Sequence, residues 1–324
     1  MQPGYVVCRA STADIPAIAD LVYAVELVGD PTATRYEVDE FRQEWSGLDL
    51  AQDVWLVRGP HDEVCGYGTI EWHEDSGRLF ADGYTRPDHD GAGIGTELVA
   101  RMERRGREIV AGTDGIRQVM VNHVILGGAG ERLLRARGYT LARVHDRMHI
   151  DLVAHPPRPA ARPDGVTIRG CDGSRAERGR VHQVVEDSFA DHWGRASRTF
   201  AQWERHVMYT GFDPSLWLLA ESDGDLVGVC VGRARDEGGE INQLGVLRAA
   251  RGRGIGGALL REAFLIFAER GLPAARLDVD SDSLTRANQL YRRAGMVVTS
   301  SIGRFELEVR PGTDRLVEGL SPLP

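Results

Sequence analysis

An eight-residue, glycine-rich motif that occurs twice constrains the fold of this chain more than any other feature. It reads GAGIGTEL at residues 91–98 and GRGIGGAL at residues 252–259. Within residues 240–270, the second copy lies between a short apolar strand and a helix whose apolar residues recur at helical spacing. Such a turn leaves backbone N–H groups unpaired at a helix N-terminus, where the helix dipole favours an anion. The implied ligand is a pyrophosphate.

Other segments recur in the same order, about 160 residues apart. Residues 6–9 (VVCR) are echoed by residues 166–169 (VTIR), and residues 53–57 (DVWLV) by residues 215–219 (SLWLL). Each copy alternates strands with helices, which favours a layered α/β or α+β fold. The shared order predicts a tandem duplication.

A proline-rich segment, HPPRPAARPDG, separates the two copies at residues 155–165. Proline at this density cannot continue a helix or a central strand and favours an extended connector. We therefore predict an N-terminal domain over residues 1–154 and a C-terminal domain over residues 166–324.

Composition excludes several classes of protein. The net charge of −9 argues against a nucleic-acid partner, and no apolar run approaches the length of a membrane helix, about 20 residues. The N-terminal residues lack the basic and apolar regions of a signal peptide. The four cysteines form no CxxC pair and no Cys/His cluster in the sequence. We expect a cytoplasmic, reduced and metal-free protein with neither a membrane nor a nucleic-acid partner.

Two motifs of the second copy resemble those of the GNAT acyltransferase superfamily. The spacing Arg251-x-x-Gly254-x-Gly256 resembles its coenzyme A signature, and residues 277–296, LDVDSDSLTRANQLYRRAGM, resemble its next strand, helix and Tyr-x-x-x-Gly ending. The resemblance covers nearly the whole chain and extends to two-domain actinobacterial members such as mycothiol-forming acetyltransferases. It implies two tandem α+β domains (α/β/α layers), each a mixed, mostly antiparallel sheet flanked by helices, and acetyl-CoA as the acyl donor.

The resemblance also implies roles for residues of the second copy. Glu240 would act as a base through water and Tyr291 as the acid toward the coenzyme thiolate; a solvated carboxylate and a packed aromatic ring are the alternatives. The backbone N–H of Val246, beside a bulge expected at Gly245, is the expected oxyanion donor. Alternation along the strand places Glu240 on the same face as Leu244 and Val246. The residues expected to hold the coenzyme are Leu244, Gly245, Val246, Arg251, Gly252, Arg253, Gly254, Ile255, Gly256, Gly257, Ser283, Asn288 and Tyr291.

Residues that bind the acceptor are expected in two places. Asp278 and Asp280 alternate on one strand and could bind a cationic acceptor or replace the glutamate as base. Asp191, His192 and Trp193 lie where relatives place a mobile helix pair that covers the substrate. Aromatic rings beside acids suit an amine, although ordinary core packing is the alternative.

The first copy lacks the chemical residues of the second. Asp90 stands at the position of Arg251, Ala92 at that of Arg253, Leu79 at that of Glu240 and Leu134 at that of Tyr291. An aspartate beside a diphosphate is repulsive, by about 1 kcal/mol at surface-like screening. We therefore predict that the N-terminal domain is non-catalytic; compensation by Arg86 or Arg101, with coenzyme still bound there, is the alternative.

The sequence thus predicts an N-acetyltransferase that transfers an acetyl group from acetyl-CoA to a primary amine of a small molecule. Acylation with a longer chain or of a peptide N-terminus is the enzymatic alternative. A non-catalytic sensor of coenzyme or ligand is the alternative from another class. A monomer or a homodimer is expected, since the duplication can replace a dimer.

Overall fold

The computed structural model describes residues 1–159, 162–190, 197–209, 212–282 and 287–315. The chain forms two compact units. Unit 1 comprises residues 1–145 together with the chain from residue 300 onward, and unit 2 comprises residues 146–299.

Unit 1 is built on a mixed sheet. Its strands are β1 (Val6–Arg9), β2 (Val54–Arg58), β3 (Val64–His73), β4 (Arg78–Thr85), β5 (Gln118–Ile125), the first part of β6 (Thr140–Asp151) and most of β12 (Val297–Arg310). Its helices are α1 (Ile15–Gly29), α2 (Val38–Trp45), α3 (Ile94–Ile109) and α4 (Ala129–Ala136). Strands β1 to β4 form an antiparallel meander, β4 runs parallel to β5, and β5 runs antiparallel to β12.

Unit 2 repeats this arrangement. Its strands are the second part of β6, β7 (Val166–Gly170), β8 (Trp217–Ser222), β9 (Asp225–Arg235), β10 (Gly238–Val246) and β11 (Ala274–Asp280). Its helices are α5 (Arg175–Phe189), α6 (Phe200–Tyr209), α7 (Ile255–Glu269) and α8 (Ala287–Arg293). Strands β7 to β10 form an antiparallel meander, β10 runs parallel to β11, and β6 follows β11 in the sheet. The predicted pair of mixed, helix-flanked sheets is confirmed.

The last strands of the two predicted domains, β6 and β12, do not follow the predicted domain boundary. Phe305 on β12 is fully buried in the core of unit 1, where β12 pairs with β5. Met148, Ile150 and Leu152 instead pack in the core of unit 2. The boundary placed at residues 155–165 therefore misassigns the second part of β6 and most of β12. The repeat shows that each copy ends in a strand, but nothing in that strand's apolar pattern tells which sheet it completes.

Helix α7 shows how sequence periodicity positions the site. The predicted apolar stripe is confirmed, because Leu259, Leu260, Ala263, Phe264 and Phe267 are all buried. Burial of each phenylalanine contributes about 2–3 kcal/mol relative to exposure. A Cβ on Gly239 of β10 would collide with the Phe267 ring, so glycine allows the helix to sit directly on the strand.

None of the described helices is long and apolar enough to cross a membrane.

Candidate active site

Strands β10 and β11 separate after a short stretch of pairing. They pair in parallel only at Gly239–Ala275 and Glu240–Arg276, after which the register stops although both strands continue. We call the gap bounded by residues 241–246 of β10 and residues 277–280 of β11 the wedge. Backbone groups that face the wedge lack the strand partner that a continuous ladder would give them.

The alternation of β10 with β9 shows which backbone groups face the wedge. Leu247 N donates to Val227 O at 2.9 Å, so this pair is a hydrogen-bonded one. In an antiparallel ladder the N–H groups of alternate residues point to opposite sides. The N–H groups of Leu244 and Val246 therefore point away from β9 and into the wedge. They are placed to bind a carbonyl oxygen there.

A register shift interrupts β10 and alters the predicted faces. Glu240 pairs with Arg233 and Leu244 with Cys230, with the shift falling between Ile241 and Gln243. Because their partners on β9 are three residues apart, Glu240 and Leu244 lie on opposite faces of the sheet. The prediction of a common face was wrong, since the extra residue cannot be seen in an alternating apolar pattern.

The bulge predicted at Gly245 is likewise not where the register shifts. A Cβ on Gly245 would instead collide with Ser188 Oγ at the end of α5 and would lie 3.4 Å from the Phe189 ring. Glycine is needed there because α5 packs directly on the strand. This contact brings the end of α5 to the mouth of the wedge.

The glycine turn between β10 and α7 presents free backbone donors. Gly252 and Gly254 have φ values of 79° and 83°, which favour glycine. Among the described residues no backbone acceptor pairs with the N–H groups of the turn and the first helical turn, at residues 252–257. Such N–H groups at a helix N-terminus are suited to bind an anion.

The two arginines of this turn have different contacts. Arg251 Nε donates to Val246 O at 3.2 Å and its Nη2 to Ser188 O at 2.9 Å, so its guanidinium lies at the end of β10. Arg253 Nη2 instead donates to Asp164 O at 3.3 Å and Ser222 Oγ at 3.2 Å. Of the two, Arg251 is the one beside the wedge.

Tyr291 and Asn288 lie on α8. Tyr291 is 8% exposed, and burial, reinforced by Cys230, raises the pKa of its phenol above the usual value. The phenol is therefore protonated at neutral pH and can donate a proton. Asn288 Nδ2 donates to Ser281 O at 3.0 Å, whereas its buried Oδ1 has no partner within the described residues. Ser283, predicted to contact the coenzyme, lies outside the described residues.

Glu240 lies in a cluster of arginines. Its Oε2 accepts from Arg235 Nε at 2.9 Å and lies 2.8 Å from Arg233 Nη2. Burial opposes its charge, but Arg233, Arg276 and Arg235 outweigh burial and hold the pKa of Glu240 below its ordinary value. A carboxylate with a lowered pKa is a weak proton acceptor. These contacts favour an ion-pairing role over the predicted role as base.

Only some of the residues predicted to bind the acceptor lie within the described part of unit 2. Asp278 is half exposed and lies 3.8 Å from Arg147, and Asp280 Oδ1 accepts from Asp282 N at 2.9 Å. Asp191, His192 and Trp193 lie outside the described residues. Sequence reasoning missed Gln243, whose Oε1 accepts from Trp203 Nε1 at 3.1 Å. The bulge turns Gln243 toward α6, and no sequence signal marked it.

Unit 1 has an equivalent gap between two parallel strands, but its strand register differs from that of unit 2. Strands β4 and β5 pair only at residues 78–80 with 119–121, and β4 pairs with β3 at eight successive positions without a register shift. Gly91 and Gly93 have φ values of 80° and 82°, so the turn backbone is retained. Gln2 N donates to Ala92 O at 2.8 Å in this turn.

The structure also confirms which residues of the two copies correspond. Tyr139 N donates to Leu134 O at 3.0 Å, as Met296 N donates to Tyr291 O at 3.1 Å. Leu134 is buried in unit 1 and supplies no proton donor.

A parallel strand pair that opens beside a helix-capping glycine turn can admit an extended thioester and hold its diphosphate. This arrangement defines the class of acyl-coenzyme A transferases. Residues 180–296 match the family described as Acetyltransferase (GNAT) family. The chain belongs to the GNAT family and is an acyltransferase.

Relatives and solved structures agree with this assignment. A mycothiol acetyltransferase of Cellulomonas flavigena is 30% identical over 305 residues, covering 88% of this chain and 84% of the relative. A GCN5-related N-acetyltransferase from Sphaerobacter thermophilus has a TM-score of 0.81 and 32% identity, covering 98% of this chain and 99% of that one. A tandem GNAT protein from the clavulanic acid biosynthesis pathway, at 16% identity, shares the fold with a TM-score of 0.71 over 95% of this chain and all of its own.

Proposed function

We propose that unit 2 transfers the acetyl group of acetyl-CoA to a primary amine of a small molecule by direct attack. The observation that carries this proposal is the pair of N–H groups, from Leu244 and Val246, that point into the wedge beside the free donors of the glycine turn. The turn would hold the diphosphate, and the wedge would hold the pantetheine arm with its thioester.

The proposed reaction assigns a task to each group. The amine nitrogen attacks the thioester carbon, and the Val246 N–H stabilises the oxygen on which negative charge develops. The carbon–sulfur bond then breaks, and the departing thiolate takes the proton of the Tyr291 phenol. The ammonium form of the acceptor first loses one proton through a base, which frees the nitrogen lone pair for attack. After attack the nitrogen loses a second proton to solvent, and solvent returns a proton to the phenolate.

The base is proposed on β11 rather than β10. A primary amine near pKa 10 is mostly protonated at neutral pH, so the acceptor arrives as a cation. Asp278 and Asp280 lie on the same face of β11 and bring negative charge to the splayed end of the wedge. We assign them the binding of the ammonium group and, through water, the removal of its proton. The arginine partners of Glu240 argue against this task for Glu240.

The acceptor is proposed from the relatives. Several of them are named mycothiol acetyltransferase, and one such relative, of Geodermatophilus obscurus, covers 89% of this chain and 92% of its own length at 29% identity. We propose an acceptor of the mycothiol type for this chain, with the N-terminal unit non-catalytic and the protein cytoplasmic.

The test is release of free coenzyme thiol from acetyl-CoA in the presence of a panel of primary amines that includes short peptides. The proposal predicts release that depends on a small amine and one acetyl group gained per thiol released. Faster release with longer acyl-CoA donors or with peptides would replace it by the other acyltransferase reactions. Tight binding of acetyl-CoA with no release for any amine would indicate a sensor.

A further inference from the structure

Three side chains that the reaction does not use converge beside the glycine turn of unit 1. Glu63 precedes β3, Cys65 lies on β3, and His89 ends the short 3-10 segment Pro87–His89 that leads into the turn. Their ligand atoms, a carboxylate oxygen, the thiol sulfur and a ring nitrogen, all lie within 4.8 Å of one another. Carboxylate, thiolate and imidazole are the three protein ligands of zinc.

The distances between these atoms fit a tetrahedral ion. Cys65 Sγ lies 3.6 Å from His89 Nε2, and His89 Nε2 lies 3.6 Å from Glu63 Oε1. Zinc bonds of about 2.3 Å to sulfur and about 2.0–2.2 Å to nitrogen and oxygen, at tetrahedral angles, separate ligand atoms by about 3.4–3.6 Å. Two of the three separations therefore match those around a zinc ion, and the third, between the sulfur and the carboxylate oxygen, lies within 4.8 Å.

Outer hydrogen bonds orient two of the three ligands. The Tyr5 hydroxyl is hydrogen-bonded to His89 Nδ1 at 2.9 Å, which leaves Nε2 directed at the sulfur and the carboxylate. His61 N donates to Glu63 Oε2 at 2.8 Å, which leaves Oε1 for an ion. Such partners on the non-ligating atoms are typical of protein metal sites. They are independent of the convergence of the ligand atoms.

The surroundings allow an ion to enter and remain. Cys65 is fully buried, whereas the side chains of His89 and Glu63 are 16% and 29% exposed. Asp88, 3.8 Å from His89 Nε2, adds negative charge on the open side, and the nearby cation Arg86 is paired with Asp88 at 3.3 Å. The cluster is therefore buried at the thiol and reached by solvent at the imidazole and the carboxylate.

Among the described residues of unit 2, neither the positions equivalent to Cys65 and His89 nor the cluster around Cys171 offers such a site. Val227 and Ala250 stand at the positions of Cys65 and His89. Cys171 and Asp172 do lie near Glu177, but that carboxylate accepts from Arg169 Nη2 at 2.6 Å and also from Asp172 N. Its oxygens are therefore already bound within unit 2.

We infer that unit 1 binds one Zn²⁺ ion through Glu63 Oε1, Cys65 Sγ and His89 Nε2, with water as the fourth ligand. The Cys65 proton passes to solvent when the sulfur binds the ion. This inference reverses the sequence-based expectation of a metal-free protein. Cys65 and His89 are separated by 24 residues in sequence and meet only because β3 pairs with β4.

The test uses untagged, full-length protein that has been stripped of metal by a chelator and titrated with Zn²⁺ and with Co²⁺. We expect one equivalent of Zn²⁺ to bind, and Co²⁺ to give the intense visible bands of tetrahedral coordination with a thiolate charge-transfer band. Cys65→Ser and His89→Ala should each weaken Zn²⁺ binding on the order of 100-fold or more, and Tyr5→Phe about 10-fold or more. Cys8→Ser, a cysteine outside the cluster, is the matched control and should change neither.

The outcomes that overturn the inference are equally concrete. They are the absence of stoichiometric Zn²⁺ binding, a Co²⁺ spectrum without a thiolate band, or binding that survives both Cys65→Ser and His89→Ala. If Cys65→Ser fails to fold because the residue is fully buried, His89→Ala and Glu63→Gln decide the matter. A Zn²⁺-dependent rise in the melting temperature should be present in the wild type and lost in both.

Discussion

The two glycine turns of this protein have the same backbone and opposite surroundings. In both, glycines with φ near 80° precede a helix with free N–H groups. In unit 2 the turn is flanked by Arg251 at the end of β10, whereas in unit 1 the equivalent residue is Asp90 and its neighbour His89 faces a thiol and a carboxylate. The turn backbone is common to both units, whereas the side chains beside it differ in charge and in chemistry.

The strands that border the gap in each unit, β10 and β4, also differ. Strand β10 carries a register shift and β4 does not. The shift separates Glu240 from Leu244 and frees Gln243 to contact α6, whereas β4 keeps Leu79 fully buried in the core. A duplicated fold can thus keep its packing in both copies and its chemistry in one, because packing needs only apolar volume whereas chemistry needs particular groups.

The largest expected effect comes from removing the proposed acid. Tyr291→Phe should lower turnover on the order of 100-fold or more, because the buried phenol would supply the thiolate's proton. Acetyl-CoA affinity should change little, since the ring remains. Tyr139→Phe, a buried tyrosine of unit 1, is the control and should leave turnover unchanged in a steady-state assay. Equal turnover in wild type and Tyr291→Phe would remove the tyrosine from the mechanism.

Glu240→Gln separates the two roles considered for this residue. Loss of the carboxylate removes one negative charge beside Arg233, Arg235 and Arg276, so we expect a loss of about 3 kcal/mol of unfolding free energy. The limb of the pH–rate profile on which turnover rises with pH, which reports deprotonation of the base, should stay in place. Denaturant unfolding and a pH–rate series test this together; loss of that limb without loss of stability would restore Glu240 as the base.

Gly245→Ala tests the packing of α5 on β10. The added methyl group collides with Ser188, which we expect to cost about 1–3 kcal/mol of unfolding free energy. A second change, Ser188→Gly, removes the colliding atoms and should recover most of the loss, as a double-mutant cycle would show. Additive losses in the cycle would mean that the two residues do not meet.

The smallest expected effect is a pH dependence confined to unit 1. Burial, reinforced by Glu26 and Glu71, raises the pKa of Asp82 from 3.8 to about 6. This folded-state value exceeds the unfolded one, so the stability that Asp82 contributes is complete below about pH 4 and is lost as pH rises to about 6.

Asp82→Asn removes this titration. The melting temperature of this variant should therefore fall less than that of the wild type between pH 4.5 and pH 7.5. Glu74→Gln, in the β3–β4 hairpin turn, is the control and should follow the wild type. Parallel pH curves for wild type and Asp82→Asn would contradict the raised pKa.

Much of this structure could be predicted from the sequence, because it depends on local signals. The helical stripe on α7 and the positive-φ glycines of the turns are set by neighbouring residues, and the copies could be aligned by their order. Tyr291 and Leu134 were matched in this way, and equivalent backbone hydrogen bonds confirm the match.

The remainder depends on non-local pairing. The extra residue near Asn242, the exchange of the closing strands and the meeting of Cys65 with His89 all follow from register between strands. A one-residue slip in register moves every side chain of a strand to the opposite face of the sheet and leaves the strand's composition unchanged. The arginine partners of Glu240 could not be predicted from the sequence for the same reason.

The most direct test of the division between the units is calorimetric titration of acetyl-CoA into the intact protein, into Arg251→Glu and into Asp90→Asn. The account predicts one site in the wild type, lost or weakened more than about 10-fold by Arg251→Glu and unchanged by Asp90→Asn. Two sites in the wild type, or one that survives Arg251→Glu, would show that the unit 1 turn holds coenzyme and would contradict the account.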